Sequence, residues 1–466
     1  VKVPLLVIGG GLSGLAAAIR AARFQPQVLL LEKHSRLGGL NSYFYRNGTL
    51  FETGLHAITN YADPKDKKAP LNRLIRQLKL HRNDFTFCPQ MQSEVTFRGC
   101  TSLKFSNNFE LFHAEIRDKF PQAIDKFQNL LDFLADFDPF SPADFRSSKK
   151  FLLKTLGDRL LTDMILCPLM YYGSSHENDM DLSQFAIMFR AIYLEGMFRP
   201  RGTIKDLLDL LIDHYRALGG SLRTGCEVKR VCHRNKKVTG VELASGEIIE
   251  CDHLLSTIGR DETMRLLGHG TSQEEIVAAL AGRLGFVETI YQIPEQTAGQ
   301  LPTDKTIIFY NEGESFSYEN PDQLADFASG VICFPGNFQG QGPKEFREIR
   351  STHLANYAKW KALHADPEQY KTQKQLIARG SGRHLENLIG SFTTNIVYEN
   401  SFTPVTIERY TSKIGGAIYG SPQKTKDGNI GFANLFLAGT DQGFLGIIGS
   451  MLSGVSIVNQ HILSKL

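Results

Sequence analysis

An apolar run, Val3-Pro4-Leu5-Leu6-Val7-Ile8, leads without a break into Gly9-Gly10-Gly11-Leu12-Ser13-Gly14. Leu12, Leu15, Ala16, Ile19 and Ala22 then recur at helical spacing. The pattern predicts a strand, a G-x-G-x-x-G turn and a helix. Gly9 permits the tight turn, Gly11 lets a pyrophosphate approach the backbone, and Gly14 lets helix and strand pack closely. The helix N-terminus offers free N–H groups and a positive dipole end to that phosphate. Val28-Leu29-Leu30-Leu31 reads as a second buried strand, ending in Glu32, about 20 residues past the glycines, where an acid takes ribose hydroxyls. Arg36-Leu37-Gly38-Gly39 follows. That second glycine pair is not expected of an ordinary NAD site and moves the reading towards FAD.

A chain of 466 residues is long enough for two domains, or one large and one inserted. With 42% hydrophobic and 22% charged residues it has the composition of a soluble globular protein. The net charge of +3 leaves no nucleic-acid footprint. The seven cysteines are scattered and lack C-x-x-C spacing, which argues against zinc or a disulfide framework and for a reducing cytoplasm. The first strand begins almost at residue 1, so the N-terminus reads as structural rather than a cleaved signal. No run of about 18 apolar residues is present, so membrane contact would be peripheral.

Residues 62–70 read as a charged, Pro-flanked loop and Leu71 to Leu80 as a helix. From about Phe85 to Arg199 the chain reads as mostly helical and rich in Phe and Leu, with candidate helices over Phe127 to Phe140 and Phe151 to Tyr172. Leu166 to Tyr172 and Phe185 to Phe198 are candidates to line an apolar cavity, or to form an ordinary helical core. Arg199-Pro200-Arg201-Gly202-Thr203 feeds a helix from Ile204 to Leu218, which Gly219-Gly220 ends. Next come a strand at Ser221 to Thr224, a three-strand meander (Glu227 to His233, Val238 to Leu243, Ile248 to Cys251) and a buried strand, His253 to Ile258. Residues 285–400 mix strands (Phe286 to Ile293, Thr306 to Tyr310, Gly330 to Phe334) with charged helices (Lys344 to His364, Pro367 to His384). The end returns to a strand, Asn434 to Gly439, a loop, Thr440 to Gly446, and a helix pattern, Ile447 to Leu463.

The order of G-x-G-x-x-G, distal acid, R-x-G-G, P-R-G loop, meander and C-terminal glycine loop resembles the FAD-dependent amine oxidase and phytoene desaturase superfamily. The likeness covers roughly residues 1–60, 199–260 and 400–466. Within it, R-P-R-G-T-I-K-D-L-L, Glu408-Arg409-Tyr410, Gly416-Ala417-Ile418-Tyr419-Gly420 and Phe51-Glu52-Thr53-Gly54-Leu55-His56 are similar to the phytoene desaturase, carotenoid isomerase and retinol saturase branch. The resemblance implies an α/β protein: an FAD-binding Rossmann-like domain of the glutathione-reductase/amine-oxidase type (residues 1–84, 200–284 and 401–466) with an inserted α+β substrate domain (85–199 and 285–400).

It also implies site roles. Gly9, Gly11, Leu12, Ser13 and Gly14 hold the pyrophosphate. Glu32, with Lys33 beside it, binds the adenosine ribose. Arg36, Gly38, Gly39 and Leu40 lie along the FAD. Val228 contacts adenine through its backbone. Gly439 and Asp441 meet the ribityl or pyrophosphate region, with Thr440 shifting the acid by one position from the place many relatives give it. A helix starting near Ile448 and Met451 aims its N-terminus at the flavin ring. His56 and Tyr419 are the candidate catalytic side chains, each also readable as a packed residue. No metal site is expected. FAD is expected to be non-covalent, because no cysteine follows Cys333.

The expected chemistry is hydride exchange between flavin N5 and a long apolar substrate of isoprenoid, carotenoid or retinoid type, as a desaturase or a saturase. Such a substrate suggests a cytoplasmic protein that contacts a membrane peripherally. No second nucleotide motif is present, and the electron acceptor or donor stays open. An amine oxidase is the first alternative, although the single tryptophan, Trp360, falls in a charged helix. A flavin-dependent isomerase or a binding protein is the other.

Overall fold

The computed structural model describes residues 2–25, 27–141, 143–268, 282–342 and 344–465. Two seven-stranded sheets organise them. The first runs Ser221–Arg223, Val28–Leu31, Lys2–Ile8, Ile248–Ser256, Lys237–Leu243, Val228–Arg234, with Leu435–Leu437 added against Ile248–Ser256. Its centre is parallel: Lys2–Ile8 pairs in that sense with both Val28–Leu31 and Ile248–Ser256.

The two strands expected at Ile248 to Cys251 and His253 to Ile258 are one. Ile248 to Glu250 pair antiparallel with Lys237–Leu243, and from Glu250 onward the same strand runs parallel to Lys2–Ile8. Asp252 does not break it, because its side chain points to solvent and pairs with Lys2 Nζ at 2.7 Å.

The helix Leu12–Ala22 lies between this sheet and the C-terminal helix Gly446–Ile457. Two glycines make that possible. A Cβ on Gly14 would stand 2.0 Å from the Gly9 carbonyl oxygen, and one on Gly454 would stand 2.2 Å from the Ser13 carbonyl oxygen. The strand-to-helix turn is therefore as tight as the backbone allows.

The second sheet runs Tyr398–Phe402, Gly285–Pro294, Phe346–Ala355, Ser329–Cys333, Lys305–Asn311, Gln92–Phe97, Thr101–Phe105. Tyr398–Phe402 straddles the expected boundary at 400. Three expectations give way here. Lys344 to His364 is not one helix: Phe346–Ala355 is a strand flanked on both sides by partners, and only Tyr357–Leu363 is helical, capped by Asn356. The supposedly helical stretch after Phe85 contributes the hairpin Gln92–Phe97 and Thr101–Phe105. Phe151 to Tyr172 is two helices, Ser148–Leu156 and Arg159–Gly173, parted by Gly157 at φ +69° and by Asp158, whose carboxylate caps the second.

Those helices, with Phe109–Lys119, Ile124–Asp136 and Leu182–Phe189, cover one face of the second sheet and share an aromatic-rich core with it. Among the described residues, no helix is long and apolar enough to cross a membrane.

Candidate active site

A cavity of 1120 Å³ runs from the glycine turn of the first sheet to the face of the second. Ordinary small-molecule sites fill roughly 300–1,000 Å³, so this one has room for a ligand larger than most. One arm is a dinucleotide cradle. Gly9 sits at φ +101°, a conformation that disfavours any side chain, and Gly11 faces open space where a Cβ would meet nothing within 4 Å. The helix that follows has no acidic residue in its first turn and no side-chain cap, so its N–H groups stay free for an anion. Among the described residues, Ser13 Oγ is buried without a hydrogen-bond partner, as is His34 Nε2, and both residues line this arm. Two orphaned polar atoms beside a glycine cradle fit a dinucleotide bearing phosphates.

Glu32 is buried at the end of its strand. Its carboxylate accepts from Gly10 N at 2.7 Å and His34 N at 2.8 Å. A carboxylate has about four acceptor positions, so capacity for ribose hydroxyls remains. Gly38 N donates to Gly10 O at 2.9 Å, which locks the second glycine pair onto the first turn. Arg36, Gly39, Leu40 and Val228 continue the lining, and the Arg36 guanidinium rests over Tyr43, 5.4 Å from its ring centre. Lys33 also lines the cavity, but its ammonium donates to Arg409 O and Ser412 Oγ.

Four expected residues stand off the cavity wall. Gly14 packs against Gly9 instead. The last helix begins at Gly446, so Gly446, Ile447 and Ser450 line the cavity, while Ile448 and Met451 turn into the core. Asp441 is buried and fully engaged. It accepts from Arg260 N at 2.7 Å and Ser421 N at 3.0 Å and pairs with Lys413 Nζ at 3.5 Å. Burial opposes its ionisation, yet Lys413 and Lys424 hold its carboxyl below the usual range. Gly439 and Thr440 reach the cavity in its place. Lys413 and Glu262 line it too and were not singled out by motif. Burial pushes Glu262 up, and Lys413 is raised against burial by Asp441 and Glu262.

The other arm is a chamber lined by His56, Tyr171, Tyr172, Phe286, Glu288, Val331, Thr352, Ile418 and Tyr419. His56 comes from the first domain, on the loop after Glu52. That loop is held by buried Arg199, which donates to Leu55 O at 2.5 Å and His56 O at 2.9 Å and pairs with Glu52. Glu52 also accepts from Ile204 N, the first residue of the helix behind the P-R-G loop. The two motif segments, far apart in the chain, are thus one structural unit.

Across the chamber, His56 Nε2 lies 3.4 Å from Glu288 Oε1 and 3.3 Å from Thr352 Oγ1. Glu288 is also 3.2 Å from the Arg350 guanidinium, which is fully buried and bonds Glu348 at 2.6 Å and Glu52 O at 3.0 Å. Burial opposes charge on Glu288, but His56 and Arg350 together hold its carboxyl below the usual range. Tyr419 lines the chamber with its ring, while its hydroxyl donates to Tyr171 O, and burial raises its pKa.

Sequence reasoning missed Glu52, Arg199, Glu288 and Arg350 as site residues. Glu288 was visible as a lone acid inside the apolar strand Phe286 to Ile293. Arg350 and Thr352 sit in a stretch, Phe346 to Ala355, that lacks the apolar/polar alternation of a half-buried strand. Of the segments proposed to line an apolar cavity, Tyr171 and Tyr172 do so, while Leu166 to Met170 and Phe185 to Phe198 lie outside its lining.

With a phosphate-ready cradle and an aromatic chamber on one continuous cavity, the molecule falls in the class of FAD-binding Rossmann-type oxidoreductases with an inserted substrate domain. Residues 12–285 match the family described as flavin containing amine oxidoreductase, and the chain belongs to that family. It is 21% identical to a 4,4'-diaponeurosporene oxygenase of Staphylococcus aureus over 451 residues, covering 89% of this chain and 87% of the relative. Its fold is similar to that of an oxidoreductase from Methanosarcina mazei (TM-score 0.67, 16% identity, 98% of this chain and 100% of that one). It is also similar to a CLA-producing fatty acid isomerase from P. acnes (TM-score 0.60, 13% identity, 99% of each chain).

Proposed function

We propose that the protein holds FAD non-covalently and exchanges hydride between the flavin and a C–H bond of a long, mainly apolar substrate, making or removing a carbon–carbon double bond. The observation that carries this reading is the chamber: Phe286, Val331, Ile418 and the rings of Tyr171, Tyr172 and Tyr419 make an aromatic and aliphatic wall continuous with the dinucleotide arm. A bound flavin supplies the two-electron acceptor or donor. The chain's own residues supply position, exclusion of water and a place for the proton. The His56 imidazole, oriented through its Nε2 by Glu288 and Thr352, would take or return that proton on its other ring nitrogen.

The 4,4'-diaponeurosporene oxygenase relative supports an isoprenoid-like substrate. Peripheral contact with a bilayer would deliver it. The exposed rings of Phe140 and Phe145 suit such contact, and Phe140 stacks on Phe444, in the loop just before the cavity-lining Gly446.

The test is anaerobic titration of the FAD-loaded protein, oxidised and pre-reduced, with a panel of isoprenoids and polyenes while the flavin band near about 450 nm is followed. Bleaching or recovery with a member of the panel supports the reading. Response only to primary amines, with release of peroxide in air, overturns it. Acid precipitation that leaves the flavin in solution would support non-covalent binding.

A further inference from the structure

Four tyrosines on the chamber side of the second sheet each spend their hydroxyl on a protein partner. Tyr171 bonds Ser329 Oγ at 2.8 Å, Tyr193 bonds Ile165 O at 3.1 Å, and Tyr318 bonds Ser174 O at 3.0 Å. Tyr419 bonds Tyr171 O. Tyr172 is different. Its hydroxyl oxygen is buried and has no hydrogen-bond partner among the described residues, and the residue lines the cavity. It stands at the end of the helix Arg159–Gly173, in the second domain, with its ring 5.3 Å from that of Phe309. Cys333, Tyr419, Arg199 and Glu288 are its electrostatic neighbours, and Cys333 Sγ lies 3.7 Å from His56 O. The hydroxyl therefore belongs to the chamber rather than to the glycine cradle.

Buried polar groups are rarely left unpaired in native proteins, and one that faces a ligand cavity is commonly completed by the ligand. We propose that Tyr172 is the polar anchor of the chamber: its hydroxyl donates a hydrogen bond to an uncharged oxygen, carbonyl or alcohol, carried by the apolar substrate. The substrate class is thereby narrowed from hydrocarbons to oxygenated chains. Burial keeps the phenol protonated at neutral pH, so it acts as a donor. A carboxylate is the wrong partner. The buried cluster beside it already holds the carboxylates of Glu52, Glu288 and Glu348, paired with Arg199 and Arg350, so a further negative charge would meet three others. This inference rests on the apolar-substrate reading above and deepens it.

The experiment uses the FAD-loaded full chain and matched all-trans polyenes, identical except for a terminal methyl, aldehyde or carboxylate. Dissociation constants are read from the perturbation of the flavin spectrum, for the native protein and for Tyr172→Phe. The native protein should bind the aldehyde about tenfold more tightly than the hydrocarbon, the ratio expected of one net hydrogen bond, and more tightly than the carboxylate. In Tyr172→Phe the aldehyde's advantage over the hydrocarbon should fall to near unity while the hydrocarbon's own affinity and the flavin content stay put. Equal binding of methyl and aldehyde by the native protein, survival of the preference in Tyr172→Phe, or no binding of any member overturns the proposal. Loss of flavin from Tyr172→Phe overturns it as well, because the hydroxyl would then serve the cofactor. A Tyr172-dependent preference without electron exchange would leave the anchor standing and the redox reading fallen. Exchange with hydrocarbons alone would do the reverse.

Discussion

His56 Nε2 and Glu288 Oε1 stand 3.4 Å apart, one on a loop beside the first sheet and the other on the strand Gly285–Pro294 of the second sheet. The contact joins the domains at the wall of the chamber, and its chemistry depends on pH. Glu288 titrates below its ordinary value of 4.5 in the folded protein. A depressed carboxyl contributes stability that is present above the unfolded value and is lost as pH falls through the folded one. The melting temperature should therefore drop as pH is lowered below about 4.5. In Glu288→Gln this part of the acid dependence should disappear, at the cost of lower stability at neutral pH, where Arg350 loses a partner. Thermal melts of both proteins from pH 3 to 7 check this. A parallel drop in both would show that Glu288 is not the titrating group.

The Glu52–Arg199 pair holds the His56 loop. Removing one member of a buried pair typically costs about 3–5 kcal/mol, because the other charge is left uncompensated. Arg199→Met should lose stability on that scale. Glu52→Gln combined with Arg199→Met should lose much less than the sum of the single changes. Denaturant unfolding of the four proteins measures the coupling, and additive losses would show that the two side chains act independently.

Asp441 is engaged by Arg260 N, Ser421 N and Lys413. Asp441→Asn leaves Lys413 beside Glu262 alone and weakens the acceptor of Arg260 N and Ser421 N. The expected result is a stability loss of about 3 kcal/mol or more, seen in the apo-protein as well as in the FAD-loaded form. A variant whose apo-protein melts normally, with only FAD affinity reduced, would return Asp441 to direct cofactor contact.

Cofactor removal gives a further check. A ligand that binds only the folded state at about 1,000 times its dissociation constant adds about 4 kcal/mol. Melting temperature should rise with added FAD. Ser13→Ala, which removes the orphaned hydroxyl in the cradle, should weaken FAD binding about three- to tenfold, measured by flavin fluorescence quenching.

Local patterns made the cradle readable in advance. Gly9, Gly11, Glu32 and Gly38-Gly39 have backbone or strand-end roles that short spacing encodes. The last helix is legible in the sequence as a helix, but it starts one residue earlier than the pattern predicts. Leu445 caps it and Gly446 opens it, which swaps Ile448 and Met451 for Ile447 and Ser450 at the cavity. The chamber was harder. Glu288, Arg350 and Thr352 come together only when Phe346–Ala355 pairs with Gly285–Pro294, and charged residues in that strand imitate a surface helix. Arg350 bears charge in the core because Glu348 and Glu288 compensate it, a long-range fact that composition does not carry.

The most direct measurement compares native protein with Val331→Phe, a change that fills the chamber from the second-sheet wall and touches nothing in the glycine cradle. Both proteins are loaded with FAD and mixed anaerobically with the isoprenoid that gives the strongest response in the native form. The account predicts unchanged flavin content and unchanged chemical reduction by dithionite, with the substrate-driven change in the flavin band slowed at least about tenfold. An undiminished response would contradict it, because the substrate would then reach the flavin by a route other than the chamber.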